Sequence, residues 1–326
     1  MVVSDPAQLI QKIRATLAPC RLGDWPTPLE RAPALGGAVG VAELSVKRED
    51  RSSARYGGNK VRALEFLLAD ASPGTVFVTL GGTGSTHCLA TAVHAAAAAG
   101  RAVLAQFPQP ETPASRAVAS ACRASAALVV HARTRGLLPL AVLDAWRRAG
   151  TLGPRRWIPG GGAHPRAVVG HVLAGLELAA QVAAPPDAIV LPLGTGGTAA
   201  GLALAVTALG WPTRVVAIRV APWIVANRWR TTWLANAARR LLAHRGVPLP
   251  PPRALHIVNG LGRGYGHPTT EGEAAERLAS EHGLTLDPTY GAKAFAFLLQ
   301  RGTCNVQRVV FWHTFAVPVP QPEPTP

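Results

Sequence analysis

One local pattern repeats along most of the chain: a short aliphatic run, a glycine turn, then a stretch with helical periodicity. Thr75 to Leu80 reads as a strand, Gly81 to Ser85 as a glycine turn, and Thr86 to Ala99 as a helix stopped by Gly100. Ahead of this unit lies a strand at Val41 to Val46, a loop, and a helix from Lys60. Val61, Leu64, Leu68 and Ala71 form one stripe of that helix, and Ser72-Pro73-Gly74 ends it. Strands follow at Ala102 to Phe107, Ala127 to His131, Ala188 to Leu193, Arg214 to Val220 and Arg308 to Trp312. Helices are expected near 113–125, 136–149, 165–183, from Thr198, and near 270–283 and 289–300. Residues 1–40 read as an irregular lead-in, 157–162 as a glycine-rich crossover and 246–268 as loop. Alternating β and α elements with short connections predict an α/β chain with a parallel sheet, helices on both faces and two lobes.

Composition narrows the partners. Apolar residues at 48% and charged residues at 16% indicate a packed globular chain. The net charge of +15 raises nucleic acid as a partner. The arginines are scattered, however, with pairs such as Arg155-Arg156 and Arg239-Arg240 the densest clusters, so none is expected. Cys20, Cys88, Cys122 and Cys304 contain no CxxC pair and suggest neither a metal knuckle nor a disulfide framework. No secretory h-region and no membrane-length apolar run is present, and a cytoplasmic protein with no membrane partner is the expectation.

Chemistry concentrates at three places. Only four of the 33 basic residues are lysine (Lys12, Lys47, Lys60 and Lys293), and Lys60 follows Gly57-Gly58-Asn59 at a helix start. An amine can lose a proton near neutrality and condense with an aldehyde, which arginine cannot do. A helix N-terminus also disfavours an ammonium. The turn Gly194-Thr195-Gly196-Gly197-Thr198 follows a clean strand and opens a helix, a geometry that cradles phosphate. It also fits GxGxxA, but Arg219-Val220-Ala221 stands where an NAD site needs an acid, leaving an NADP-binding oxidoreductase as a weaker alternative. The turn Gly81 to Ser85 with Thr86 and His87 clusters hydroxyls and an imidazole, suited to a substrate carboxylate and proton transfer, although Ser85 also reads as a plain helix cap. Neither a P-loop nor His spacing for a metal occurs.

Lys47-Arg48-Glu49-Asp50 … Gly57 to Leu67 resembles the lysine segment of 1-aminocyclopropane-1-carboxylate (ACC) deaminases and D-cysteine desulfhydrases. The likeness continues through Gly81 to Ser85, Ile158 to Gly162, Gly194 to Gly201, Tyr265 to Pro268, Leu286 to Ala294 and Phe311 to Thr314. The resemblance implies a tryptophan synthase β-like fold, a two-lobed three-layer sandwich. Residues 1–60 plus 160–326 would form the large cofactor-binding domain, 61–159 a small inserted domain, and 317–326 a frayed tail. It also implies pyridoxal 5′-phosphate as cofactor, a small amino-acid substrate and a homodimer. Lys60 would hold the cofactor covalently, flanked by Asn59 and Thr86. Gly194, Thr195, Gly196, Gly197 and Thr198 would bind its phosphate, and Thr314 its pyridine nitrogen. Ser85, Thr86, His87 and Tyr265 would surround the substrate, with Lys60, Ser85 and Tyr290 catalytic.

Six positions depart from the family pattern. Thr86 stands where the family has Asn, Gly291 where the deaminases have Glu and the desulfhydrases Thr, and Phe315-Ala316 replaces Gly-Gly. His171 and Ala163 stand where Tyr and Ser are common. The missing Glu speaks against ring-opening, so α,β-elimination or deamination of a D-cysteine-like amino acid to a 2-oxo acid and ammonia is expected. A cofactor-binding but catalytically silent protein is the alternative.

Overall fold

The structure, a computed structural model, describes residues 3–301 and 306–315. Ten strands appear in chain order: β1 (Leu29–Arg31), β2 (Glu43–Arg48), β3 (Val76–Gly82), β4 (Arg101–Phe107), β5 (Leu128–His131), β6 (Arg155–Trp157), β7 (Ala188–Leu193), β8 (Arg214–Arg219), β9 (Leu255–Asn259) and β10 (Arg308–His313). They build two sheets. Six strands run in the order β1-β2-β10-β7-β8-β9, parallel except for the antiparallel edge β1. Four run in the order β5-β4-β3-β6, all parallel.

The helices are α1 (Pro6–Leu17), α2 (Pro33–Val39), α3 (Lys60–Leu67), α4 (Thr86–Ala97), α5 (Pro113–Ser125), α6 (Leu138–Leu152), α7 (Pro165–Ala179), α8 (Gly197–Ala208), α9 (Arg228–Ala243), α10 (Thr270–Glu281) and α11 (Gly291–Arg301). They cover the sheets on both sides, as parallel strands require. β7 is buried at all six positions and α8 buries almost every residue it has, so neither shows an amphipathic stripe. Helices α1, α7, α8 and α9 share one apolar cluster on one side of the six-stranded sheet, and α2, α10 and α11 share another on the opposite side. The small sheet is packed by α4 and α5 on one side and by α6 on the other.

Several elements lie where the sequence pattern predicts none. α1 and β1 occupy the stretch read as an irregular lead-in, β6 runs into the first residue of the expected crossover, and β9 falls within the expected loop. All three strands are three to five residues long and sit at sheet edges, where few side chains need burial and the pattern is weakest. α3 stops at Leu67 rather than near Ala71, because Asp70 adopts a left-handed φ of 60°. Cys304, Ala316 and the proline-rich tail at 317–326 lie outside the described residues.

Candidate active site

Lys60 opens α3, and its position is fixed from both sides. The Asn59 N–H donates to the Thr314 carbonyl at 2.8 Å, and the Asn59 side-chain amide donates to Thr198 Oγ1 at 2.8 Å. Asn59 therefore ties the start of α3 to the end of β10 and to the first turn of α8. Behind it, Arg62 is almost wholly buried and bonds to Glu49 at 2.6 and 2.8 Å and to Glu177 at 3.0 and 3.1 Å. Lys47 pairs with the same Glu177 and donates to the Thr27 carbonyl at 2.7 Å. The Arg62 guanidinium lies over the Trp25 ring, 3.8 Å from its centroid. This buried ion cluster locks α3 against β2 and α7.

The Lys60 amine makes no hydrogen bond or ion pair among the described residues, and burial alone lowers its pKa from 10.5 to about 8. Desolvation disfavours the ammonium, so about one-tenth of the group is free amine at pH 7.

The turn between β7 and α8 faces it. Gly196 has φ of 93°, and a Cβ there would lie 2.7 Å from Thr231 Oγ1 on α9. Only glycine supplies that backbone at no steric cost. Gly161, with φ of 68°, packs so close to Thr195 that a Cβ would stand 2.5 Å from its Oγ1, which binds the glycine crossover to this turn. Beneath it, Thr198 Oγ1 meets His171 Nε2 at 3.5 Å. Burial, then the Lys60 charge, drops the His171 pKa to about 3, so the ring is neutral.

Asn59, Lys60, Thr86, Gly194 to Thr198, Tyr290 and Thr314 all line one cavity at the C-terminal end of β7. Phe315 closes its side, packed on Tyr56 with ring centroids 5.5 Å apart. A connected cleft runs from Lys60 past Ser85, His87, Tyr265 and Tyr290 to solvent.

Ser85 does cap α4, its Oγ accepting from the Cys88 N–H at 3.3 Å. Gly81 is required there, since a Cβ would lie 2.5 Å from that Oγ. His87 is buried, and burial followed by the Lys60 charge lowers its pKa to about 3. Thr79 Oγ1 donates to the Ile158 carbonyl at 2.9 Å, so at its 2.9 Å contact with His87 Nε2 it accepts. His87 is thus the Nε2–H tautomer, and its Nδ1 has no partner. Tyr265 and Tyr290 share a hydrogen bond of 2.6 Å between their hydroxyls. Burial raises the pKa of both, Tyr290 well above 10.0. Asp287 holds the Tyr290 backbone by accepting its N–H at 2.7 Å, and Lys293 anchors the Tyr265 loop through the Leu261 and Gly264 carbonyls.

The structure brings every sequence-predicted site residue into this one region. The expectation did not include Glu49, Arg62 and Glu177, since their pairing joins positions 115 residues apart and leaves no local pattern. Nor did it include Phe107, Arg135, Ile224, Val225 and Arg230, which line the outer cleft.

A buried free amine facing a glycine turn at a helix N-terminus, with a cavity between them, fits an aldehyde cofactor that carries a phosphate. The chain belongs to the family of pyridoxal-phosphate-dependent enzymes, whose profile matches residues 20–314. It is 36% identical over 305 residues to a nocardicin C-9′ epimerase of Nocardia uniformis subsp. tsuyamanensis, covering 88% of this chain and 91% of that protein. It is 31% identical over 312 residues to a D-cysteine desulfhydrase of Salmonella choleraesuis (strain SC-B67), covering 90% and 92%. The crystal structure of an ACC deaminase homologue superposes with a TM-score of 0.80 at 28% identity over 95% of each chain. The cofactor is pyridoxal phosphate, and the NADP reading of the Gly194 turn is not favoured. Among the described residues no helix is long and apolar enough to cross a membrane.

Proposed function

We propose that the chain acts on the α-carbon of a free amino acid, with Lys60 as cofactor anchor and as the base that removes the α-proton. The observation that carries this reading is the Lys60 amine, unpartnered and with its pKa near 8, in a cavity shared with the glycine cradle and open to the cleft of Ser85 and Tyr290. Bound pyridoxal phosphate withdraws electrons from the α-carbon, which makes that proton removable. The chain's own residues do the rest. Gly194 to Thr198 would hold the phosphate at the α8 N-terminus, with Asn59, Thr86 and Thr314 lining the same cavity as the residues that would hold the rest of the cofactor. A hydroxyl such as that of Thr314 beside the pyridine nitrogen, in place of a carboxylate, would limit how far negative charge is drawn into the ring. The Ser85 and Thr86 hydroxyls and the N–H groups at the start of α4 receive the substrate carboxylate, beside His87, whose bare Nδ1 offers no proton.

Tyr290 remains protonated across the physiological range, since burial holds its pKa well above 10.0. It is the proton donor, and Tyr265 fixes its hydroxyl. A substrate with a β leaving group would lose it with that proton, and water would then hydrolyse the released unsaturated amine to a 2-oxo acid and ammonia, as expected for a D-cysteine-like substrate. Gly291 supplies no carboxylate beside Tyr290 and does not favour opening of a cyclopropane ring.

A second reading, epimerisation, is favoured by one arrangement. Lys60 and the tyrosine pair both reach the cleft, so an α-proton removed by one group can be returned by another. The 36% identity to an epimerase agrees with it.

The test is incubation of the holoenzyme in D2O with a panel of D- and L-amino acids, following α-deuterium uptake, 2-oxo acid and enantiomeric ratio. Oxo acid from a β-substituted substrate supports elimination, and inversion with α-deuterium supports epimerisation. No exchange with any member of the panel returns the protein to a silent binding role.

A further inference from the structure

Beyond Ser85 and His87 the cleft changes character. Its outer walls are Leu80 and Phe107 from the small sheet and Pro222, Ile224 and Val225 from the loop ahead of α9. Ile224 is 76% exposed and stands at the mouth. Walls of this kind suit an apolar side chain longer than that of cysteine or serine.

Arg230 lies among them, in the first turn of α9. Its backbone N–H donates to the cap residue Asn227 at 2.8 Å, and the next residue, Thr231, packs on Gly196, so the base of this side chain is fixed. Arg230 is half-buried, and among the described residues its guanidinium forms no ion pair and its Nε has no hydrogen-bond partner. The side chain nevertheless lines the cleft, so its charge is uncommitted and available to an acceptor that enters there. Arg135 lines the same cleft, near the Phe107 face at 5.7 Å, whereas no Asp or Glu lines it. The outer cleft is therefore apolar in its walls and positive at its polar points.

Resting on the amino-acid reading above, we infer that the substrate carries an apolar side chain ending in a distal anionic oxygen group, a carboxylate in the simplest case, and that Arg230 receives it. The α-carboxylate stays with the start of α4, and the second anion reaches Arg230 across the apolar walls. A forked guanidinium matches a carboxylate in geometry as well as charge.

The experiment titrates the holoenzyme with ω-carboxylated amino acids of increasing length (aspartate, glutamate, 2-aminoadipate and 2-aminopimelate) and with their ω-methyl counterparts, both enantiomers of each. Binding is read from the cofactor's visible absorption. At least one carboxylated member is expected to bind about tenfold or more tighter than its methyl partner. Arg230→Gln is expected to remove that preference while leaving affinity for the methyl partner within about twofold, and Arg230→Lys to restore part of it. Unchanged cofactor content and melting temperature of both variants exclude misfolding. Absence of preference in the native enzyme overturns the inference. So does an equal loss for both substrates, which places Arg230 on the α-carboxylate, or a loss of bound cofactor, which places it on the phosphate. If no amino acid of either series, nor serine or cysteine, perturbs the band, the amino-acid reading itself fails.

Discussion

An ordinary lysine near neutral pH is almost wholly ammonium, whereas a group with a pKa near 8 is roughly one-tenth free amine at pH 7. For Lys60 this sets a measurable profile. Burial depresses a base, so deprotonation begins below the usual range, and the rate at which stripped protein recaptures pyridoxal phosphate should climb from pH 6 and level off just above pH 8. A rate still climbing beyond pH 9.5 would show an unshifted lysine. Tyr290→Phe makes the complementary prediction. The cofactor band stays, and turnover falls by about 10²–10⁴, the usual worth of a positioned proton donor. The sequence exposed Lys60 through the scarcity of lysine, but that signal was less specific than it looked. Lys47 and Lys293 are also buried, 0% and 3% exposed, one in the ion cluster and one capping the Tyr265 loop. Scarcity marked three interior amines, and only the glycine and Asn residues before Lys60 singled it out. Arg230 carried no signal at all, because an arginine among many declares itself only by what it fails to touch.

Single elements carry the next level of prediction. The β7–α8 turn depends on Gly196, and Gly196→Ala forces a Cβ against Thr231 at a φ of 93°. Cofactor dissociation should strengthen markedly by equilibrium dialysis, with a stability loss of about 1–3 kcal/mol in the cofactor-free protein. The ion cluster behind α3 responds differently. Glu49→Ala leaves Arg62 and Lys47 with Glu177 as their shared carboxylate, and removal of one partner from a buried pair costs about 3–5 kcal/mol. Urea denaturation should show the midpoint move with little change of slope. Strands β3, β4, β7 and β10 were legible because each holds a run of four or more buried residues, and β8 because its aliphatic run is unbroken although Val216 is only partly buried. α9 was not placed, although it supplies Thr231 and Arg230. Its buried stripe of Thr231, Leu234, Ala235, Ala238 and Leu242 is built mostly of small side chains, while the large apolar Trp229 and Trp233 are 78% and 48% exposed and blur the pattern.

Across the whole molecule, charge is the unbalanced quantity. At +15, the described acids are largely engaged: Glu30 with Arg48 and Arg51, Glu65 with the Trp25 indole, and Asp187 with the Arg308 and Gln307 N–H groups. Arginines remain in surplus, and their mutual repulsion opposes the compact state. Raising NaCl from about 0.02 to 0.3 M shortens the screening length severalfold, so the melting temperature should rise. A fall would show that the surface pairs matter more than the surplus. The alternation of elements made a parallel α/β chain in two lobes legible, while the residues expected in each lobe came from the family resemblance alone. The split of the strands between two sheets divides the labour of the site. Everything proposed to hold the cofactor, apart from Thr86, comes from the six-stranded sheet and its connections, whereas Ser85, His87, Phe107 and Arg135 come from the four-stranded sheet built between Val76 and Trp157. The chain enters that sheet through α3 and leaves through the glycine crossover. Substitutions within this one contiguous segment can reshape the inner wall of the cleft while the cofactor cradle stays untouched. The outer wall, with Ile224 and Arg230, answers instead to changes on the six-stranded side, so two separate stretches of chain divide the control of what is recognised.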